Sequence, residues 1–101
     1  MRRASFAGRY FVTSKSLTLP PIVHISGFAF VPSSLAVGVN AMVQWVNDDF
    51  VPHSVVADNS SFSSAVLSKN DTFTRTFNTP GSVGYHCGQH AGETGTIVVG
   101  P

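Results

Sequence analysis

Charge, cysteine and helical periodicity are all scarce in this sequence. Only 11% of its 101 residues are charged, against 43% that are hydrophobic. That balance excludes a disordered chain and a coiled coil. The formal net charge is +1, so the molecule as a whole lacks the basic footprint of a nucleic-acid binder. A single cysteine cannot close an internal disulfide, which excludes a disulfide scaffold. No apolar run approaches the roughly 20 residues that a bilayer span needs. The opening MRRASFAGRYF carries arginine and serine. It lacks the apolar stretch of about 7–15 residues that completes a secretory signal. One domain is expected, because half of this chain could not bury a core without staples.

What charge there is divides unevenly. Arg2, Arg3, Arg9 and Lys15 are the only ionised side chains before Asp48. After them stand Lys69 and Arg75 against Asp48, Asp49, Asp58, Asp71 and Glu93. The chain therefore reads as a basic arm over residues 1–21 followed by a mildly acidic domain over 22–101. The arm is expected to be a terminus that forms an extra strand; docking to an acidic partner or an anionic membrane is the sharper alternative.

Short runs rich in Val, Ile, Thr and Phe alternate with Gly, Pro, Asn and Ser about every ten residues, the pattern of an antiparallel β-sandwich. Strands are expected at Arg9–Thr13, Ile22–Ile25, Phe28–Val31, Leu35–Val39 and Met42–Asn47, with Pro32 breaking the third from the fourth. Further strands are expected at His53–Ala57, Thr72–Phe77, Val83–His86 and Thr96–Val99. Asn78-Thr79-Pro80-Gly81 reads as a turn. The serine-rich stretch Asp58–Asn70 reads as a surface loop, with a short strand or turn at Ala65–Leu67. In Thr72–Phe77 the period of two puts Arg75 between Phe73 and Phe77 on one face. Its stem is expected to lie over apolar surface at the sheet rim.

Chemistry concentrates in Tyr85-His86-Cys87-Gly88-Gln89-His90-Ala91-Gly92-Glu93. Cys87, His90 and Glu93 are spaced three apart on a glycine-rich loop, and thiolate, imidazole and carboxylate are all metal ligands. His53, after Pro52, is a further candidate from a second loop. Each residue alone has a bland reading: a buried small hydrophobe, a hydrogen-bonded imidazole, a solvated carboxylate. As a set they read differently, because Cys87 and His90 share one tight loop and His53 follows a second turn that could close over it. His24 and His86 read as structural, and on a strand His86 should face away from its neighbour Cys87. A Cys–His nucleophile is an alternative, but a chain this short offers it no evident cleft. Structural zinc would want a fourth strong ligand, often a second cysteine. One Cys with two His matches the trigonal arrangement of blue copper.

On these residues the chain resembles the cupredoxins, the small blue copper proteins, in their plastocyanin and amicyanin branch. The resemblance covers about residues 22–100. It is carried by VHISGFAFVPSSL at Val23–Leu35, VQWVN at Val43–Asn47, PHSV at Pro52–Val55, Phe73–Phe77, Pro80-Gly81, Tyr85-His86-Cys87 with His90, and TGTIVV at Thr94–Val99. It implies an all-β, eight-stranded Greek-key sandwich with one copper ion, cycling between Cu(I) and Cu(II), at one end. Carried over by position, the copper ligands are His53, Cys87 and His90. Asn47 matches the asparagine before the ligand loop, and Ser54 the polar residue that ties the two ligand loops together. An extra N-terminal strand in amicyanin-like chains implies a structural role for residues 6–19.

One position departs from the family. The amicyanin-type loop ends on an axial methionine, and here Glu93 fills that slot. Glu93 binds copper through oxygen, turns away and leaves the position open or to water, or is a deliberate substitution. The resemblance implies a single-electron carrier rather than an enzyme, monomeric and periplasmic or otherwise extracytoplasmic. It implies His90 as the electron port and Val51, Pro52, Gln89, Ala91 and Gly92 as a transient docking patch. The partner would be a redox protein such as a cytochrome or a copper oxidase, with no nucleic acid and no membrane span. An open copper site that reacts with or senses a small molecule such as nitric oxide is the second function class. A copper carrier is the third.

Overall fold

The computed structural model of the chain describes residues 20–101. The expected strand at Arg9–Thr13 and the arm up to residue 19 lie outside the described residues. Within them are eight strands and no helix: β1 (Ile22–Ile25), β2 (Phe30–Val31), β3 (Ser34–Gly38), β4 (Ala41–Asn47), β5 (Val56–Ala57), β6 (Thr72–Phe77), β7 (Gly81–His86) and β8 (Thr94–Gly100). They form two four-stranded sheets, ordered β2-β1-β4-β6 and β3-β8-β7-β5. This is the all-β sandwich that the pattern of short strands implies. The chain changes sheets between β2 and β3, at Pro32, where a residue without an N–H donor cannot continue a ladder.

Alternation decides which faces meet. In β4 the side chains of Val43, Trp45 and Asn47 are fully buried, and in β8 Gly95, Ile97 and Val99 turn inward. Trp45 is the centre of the core, with Phe62, Phe73, Phe77 and Tyr85 around its ring. Aromatic rings in tilted and edge-to-face contact bury large apolar areas while keeping favourable quadrupole geometry. Arg75 lies at the rim as expected, its guanidinium over the Phe62 ring at 5.0 Å.

Three local expectations change. Of His53–Ala57 only Val56–Ala57 pairs as a strand; His53 makes an isolated bridge to Leu67 instead. Of Phe28–Val31 only Phe30–Val31 pairs, because Gly27 and Phe28 turn the chain. The serine-rich stretch is not wholly surface. Two bridges, Val56 to Ser63 and His53 to Leu67, pull it in, and Phe62 and Leu67 join the core.

One topological fact places the site. β1 runs parallel to β4, with Ile25 opposite Asn47. The turn after β1 and the loop after β4 therefore emerge side by side. The loop between β7 and β8 meets them at the same end.

Candidate metal centre

Two loops supply the candidate ligands. His53 comes from the loop after β4, and Cys87, His90 and Glu93 from the loop between β7 and β8. Each loop is tied down. Asn47, fully buried, donates from Nδ2 to the carbonyls of Val51 and Leu67 and accepts from the Asp49 N–H. His53 is held by paired backbone bonds with Leu67. Cys87 N–H donates to the Glu93 carbonyl, closing the second loop at its base. Ser54 Oγ accepts from the Gly88 N–H at 3.0 Å, joining one loop to the other.

The four candidate side chains converge. One ligand atom from each of His53, Cys87, His90 and Glu93 lies within 4.8 Å of all the others. Cys87 Sγ is 3.7 Å from His53 Nδ1 and 3.5 Å from His90 Nδ1. Glu93 Oε1 is 2.9 Å from His53 Nδ1, and Oε2 is 3.2 Å from His90 Nδ1. His53, Cys87 and Glu93 are buried, whereas the His90 side chain is 27% exposed. Both Glu93 oxygens thus point inward, towards the two histidines.

The donor set asks for a cation. Asp49 Oδ2 lies 2.9 Å from His53 Nε2. A carboxylate only accepts, so Nε2 carries the hydrogen, and in the neutral tautomer this leaves the Nδ1 lone pair on the side of Glu93 Oε1. Both Glu93 oxygens are buried without a hydrogen-bond partner. Lone pairs facing one another in a dry pocket are unfavourable unless a proton or a metal ion sits among them, and four donors from two loops leave room for the metal ion. Imidazole nitrogens and a thiolate suit copper, and a carboxylate oxygen adds a harder fourth donor.

Several contributors have no signal of their own in the sequence. Asp49 stands behind His53. The amides of Phe28 and then Gly27 hold its carboxyl below the usual carboxylate range, His53 adds to this, and partial burial opposes it. Phe28 packs edge-on against both histidines, at ring-centroid distances of 5.6 Å to His53 and 5.2 Å to His90. Phe50, three residues before His53, is 88% exposed, with Lys69 Nζ 4.5 Å from its ring centroid. An acidic residue four before His53 and an apolar one three before it were the only clues. Of the expected docking residues, Pro52, Gln89, Ala91 and Gly92 are exposed and Val51 is half-buried. His24 and His86 stand outside the cluster, paired with Asp48 at 2.7 Å and Asp58 at 2.6 Å.

A β-sandwich carrying a His, Cys, His and Glu cluster at one end, buried except at His90, has the form of a small mononuclear metal protein. The family model "Copper binding proteins, plastocyanin/azurin family" matches residues 22–100, and the chain belongs to that family. It is 35% identical over 75 residues to plastocyanin from Ulva arasakii, spanning 63% of this chain and 76% of that protein. The reduced Cu(I) form of an amicyanin variant superposes with a TM-score of 0.74 at 27% identity, covering 79% of this chain and 81% of that one. A Cu-containing nitrite reductase from Thermus scotoductus gives a TM-score of 0.77 at 27% identity, over 82% of this chain and 23% of that longer chain. The chain is thus a cupredoxin, and copper is its metal.

Proposed function

We propose that this cupredoxin carries single electrons, using one copper ion held by His53 Nδ1, Cys87 Sγ, His90 Nδ1 and a Glu93 carboxylate oxygen. The observation that carries the reading is the convergence of these four donors within 4.8 Å, with His90 alone partly open to solvent. When bound, copper supplies one-electron cycling between Cu(II) and Cu(I).

The chain's own residues do the rest. Cys87 binds as thiolate, and the Gln89 N–H pointing at its sulfur from 3.5 Å stabilises that charge. Asn47 and the bond from Gly88 to Ser54 keep the two loops in register, so the donors are placed before any ion arrives. A scaffold that holds its ligands still resists geometry changes when the metal changes charge. His90 offers the edge through which an electron leaves. Around it Val51, Pro52, Gln89, Ala91 and Gly92, together with exposed Phe28 against its ring, form a largely apolar docking face. The fitting partner is a redox protein, such as a cytochrome or a copper oxidase. It would bind through the small, transient kind of interface below about 1,200 Å².

Working as a monomer outside the cytoplasm accords with this role. Among the described residues no helix is long and apolar enough to cross a membrane. The inward aim of both Glu93 oxygens favours electron transfer over a centre open to a small molecule. The test is to add Cu(II) to the apoprotein and record absorption and EPR spectra. Intense visible charge-transfer absorption that vanishes in Cys87→Ser is expected. Its persistence in that variant would overturn the ligand assignment.

A further inference from the structure

The turn after β1 is built in an unusual way. Ser26 and Ala29 exchange backbone hydrogen bonds at 2.9 and 3.2 Å. The two residues between them, Gly27 and Phe28, have φ of 63° and 60°. Two left-handed central residues are the mark of a type I′ hairpin turn, where glycine and asparagine are favoured. A phenylalanine is an expensive choice there, because its Cβ crowds the backbone at positive φ. Such strain persists only where the surroundings over-determine it, and it tends to mark functional sites.

The surroundings here are one carboxylate. Asp49 Oδ1 accepts from the Gly27 N–H at 2.9 Å, and Oδ2 accepts from the Phe28 N–H at 3.0 Å. Oδ2 also receives His53 Nε2 at 2.9 Å. Three donors from two separate loops thus share one anion. The ring that this turn presents, although half exposed, is not spent on the core. It stands edge-on against His53 and His90 together, with interplanar angles of 76° and 83°.

We propose that Phe28 is the cover of the copper centre and that Asp49 is its positioning residue, one carboxylate setting both the orientation of His53 and the placement of the ring that shields His53 and His90. The inference rests on the copper reading above. Through Nε2, Asp49 keeps the hydrogen off Nδ1, so that His53 meets the metal with a lone pair. Through the two amides it holds the turn that keeps solvent and competing ligands from the histidines. Asparagine cannot replace it. Its amide must direct NH2 at a backbone N–H or at His53, and in the second case the imidazole is driven towards the wrong tautomer.

Copper-loaded protein with ¹⁵N-labelled histidine tests this. The Cu(I) form is followed by NMR, and copper removal by a Cu(I) chelator is timed. The parent should show a slowly exchanging His53 Nε2–H. Asp49→Asn should lose that protection and release copper roughly tenfold faster or more. Asp49→Glu, which keeps a carboxylate, should restore much of both. Phe28→Gly suits the left-handed backbone, so its apoprotein should melt no lower than the parent's. It should still release copper severalfold faster while leaving the His53 Nε2–H in place. A residue with a merely structural role would not separate melting from release in this way.

Parent-like release and parent-like Nε2–H exchange in Asp49→Asn would overturn the role of Asp49. Parent-like release in Phe28→Gly would overturn the cover. Should Asp49→Asn fail to fold, Phe28→Gly and the exchange rate in Asp49→Glu decide. Absence of the thiolate–copper absorption in the parent would sink the copper reading itself, which separates the two failures.

Discussion

Replacing Glu93 with methionine should raise the reduction potential of the copper-loaded protein, and the structure sets the size of the effect. The carboxylate is 6% exposed, and its oxygens face the ligand nitrogens. An ion lying among donor atoms that are all within 4.8 Å of one another is no farther than that from the carboxylate. At that separation and an effective dielectric of about 20, one elementary charge is worth about 3.5 kcal/mol. The oxidised form holds one more positive charge than the reduced form, so ionised Glu93 favours Cu(II) by that amount. For a one-electron couple about 1.4 kcal/mol corresponds to about 59 mV, which makes the shift roughly 150 mV. The exchange of hard oxygen for soft thioether acts in the same direction, favouring Cu(I). A spectroelectrochemical titration of parent and Glu93→Met reads this directly. Glu93→Gln is the control, since it keeps an oxygen but removes the charge, and it should recover most of the rise. If neither potential nor spectrum moves in Glu93→Met, the carboxylate is not at the metal, and the electrostatic reasoning fails with it.

Exposure separates the two histidines: His90→Gly should leave a copper site that added imidazole refills, whereas His53→Gly, at a fully buried position, should resist rescue; equal recovery of the spectrum at both would remove His90 as the electron port. Gly95→Ala should destabilise the apoprotein by about 1–3 kcal/mol in a denaturant titration, because a Cβ there overlaps the Tyr85 ring and hydroxyl, and Tyr85 is fully buried. Adding Tyr85→Phe should return part of that loss. Burial also pushes the Tyr85 phenol above its ordinary value of 10.0. Its contribution is therefore intact below that pH, and it is lost as pH rises from there through the higher folded-state value. Apoprotein stability should fall more steeply above about pH 10 in the parent than in Tyr85→Phe; parallel curves would contradict this.

Period-two alternation made β4, β6 and β8 readable from the sequence, because a strand's inward and outward faces follow from its own residues. The Cys87, His90 and Glu93 spacing was readable for a similar reason, since a single short loop carries all three. That His53 stands on a second turn able to close over that loop was legible from its position, whereas its place among the ligands was legible only through the resemblance. Tertiary structure decided what depends on distant segments meeting. That Phe28 covers His53 follows from the parallel register of β1 on β4, which no local pattern encodes. That Asp49 is the anchor of a turn and a ligand, rather than one more solvated charge, depends on where an irregular loop aims its side chains. Phe62 and Leu67 read as part of a serine-rich loop, yet they fill space under the sheets that exists only once the two sheets have packed. Local residue pattern fixes which face of a strand is buried. Which loops become neighbours, and which atoms then share a proton or an ion, is set by strand order and register, and these are properties of the whole chain.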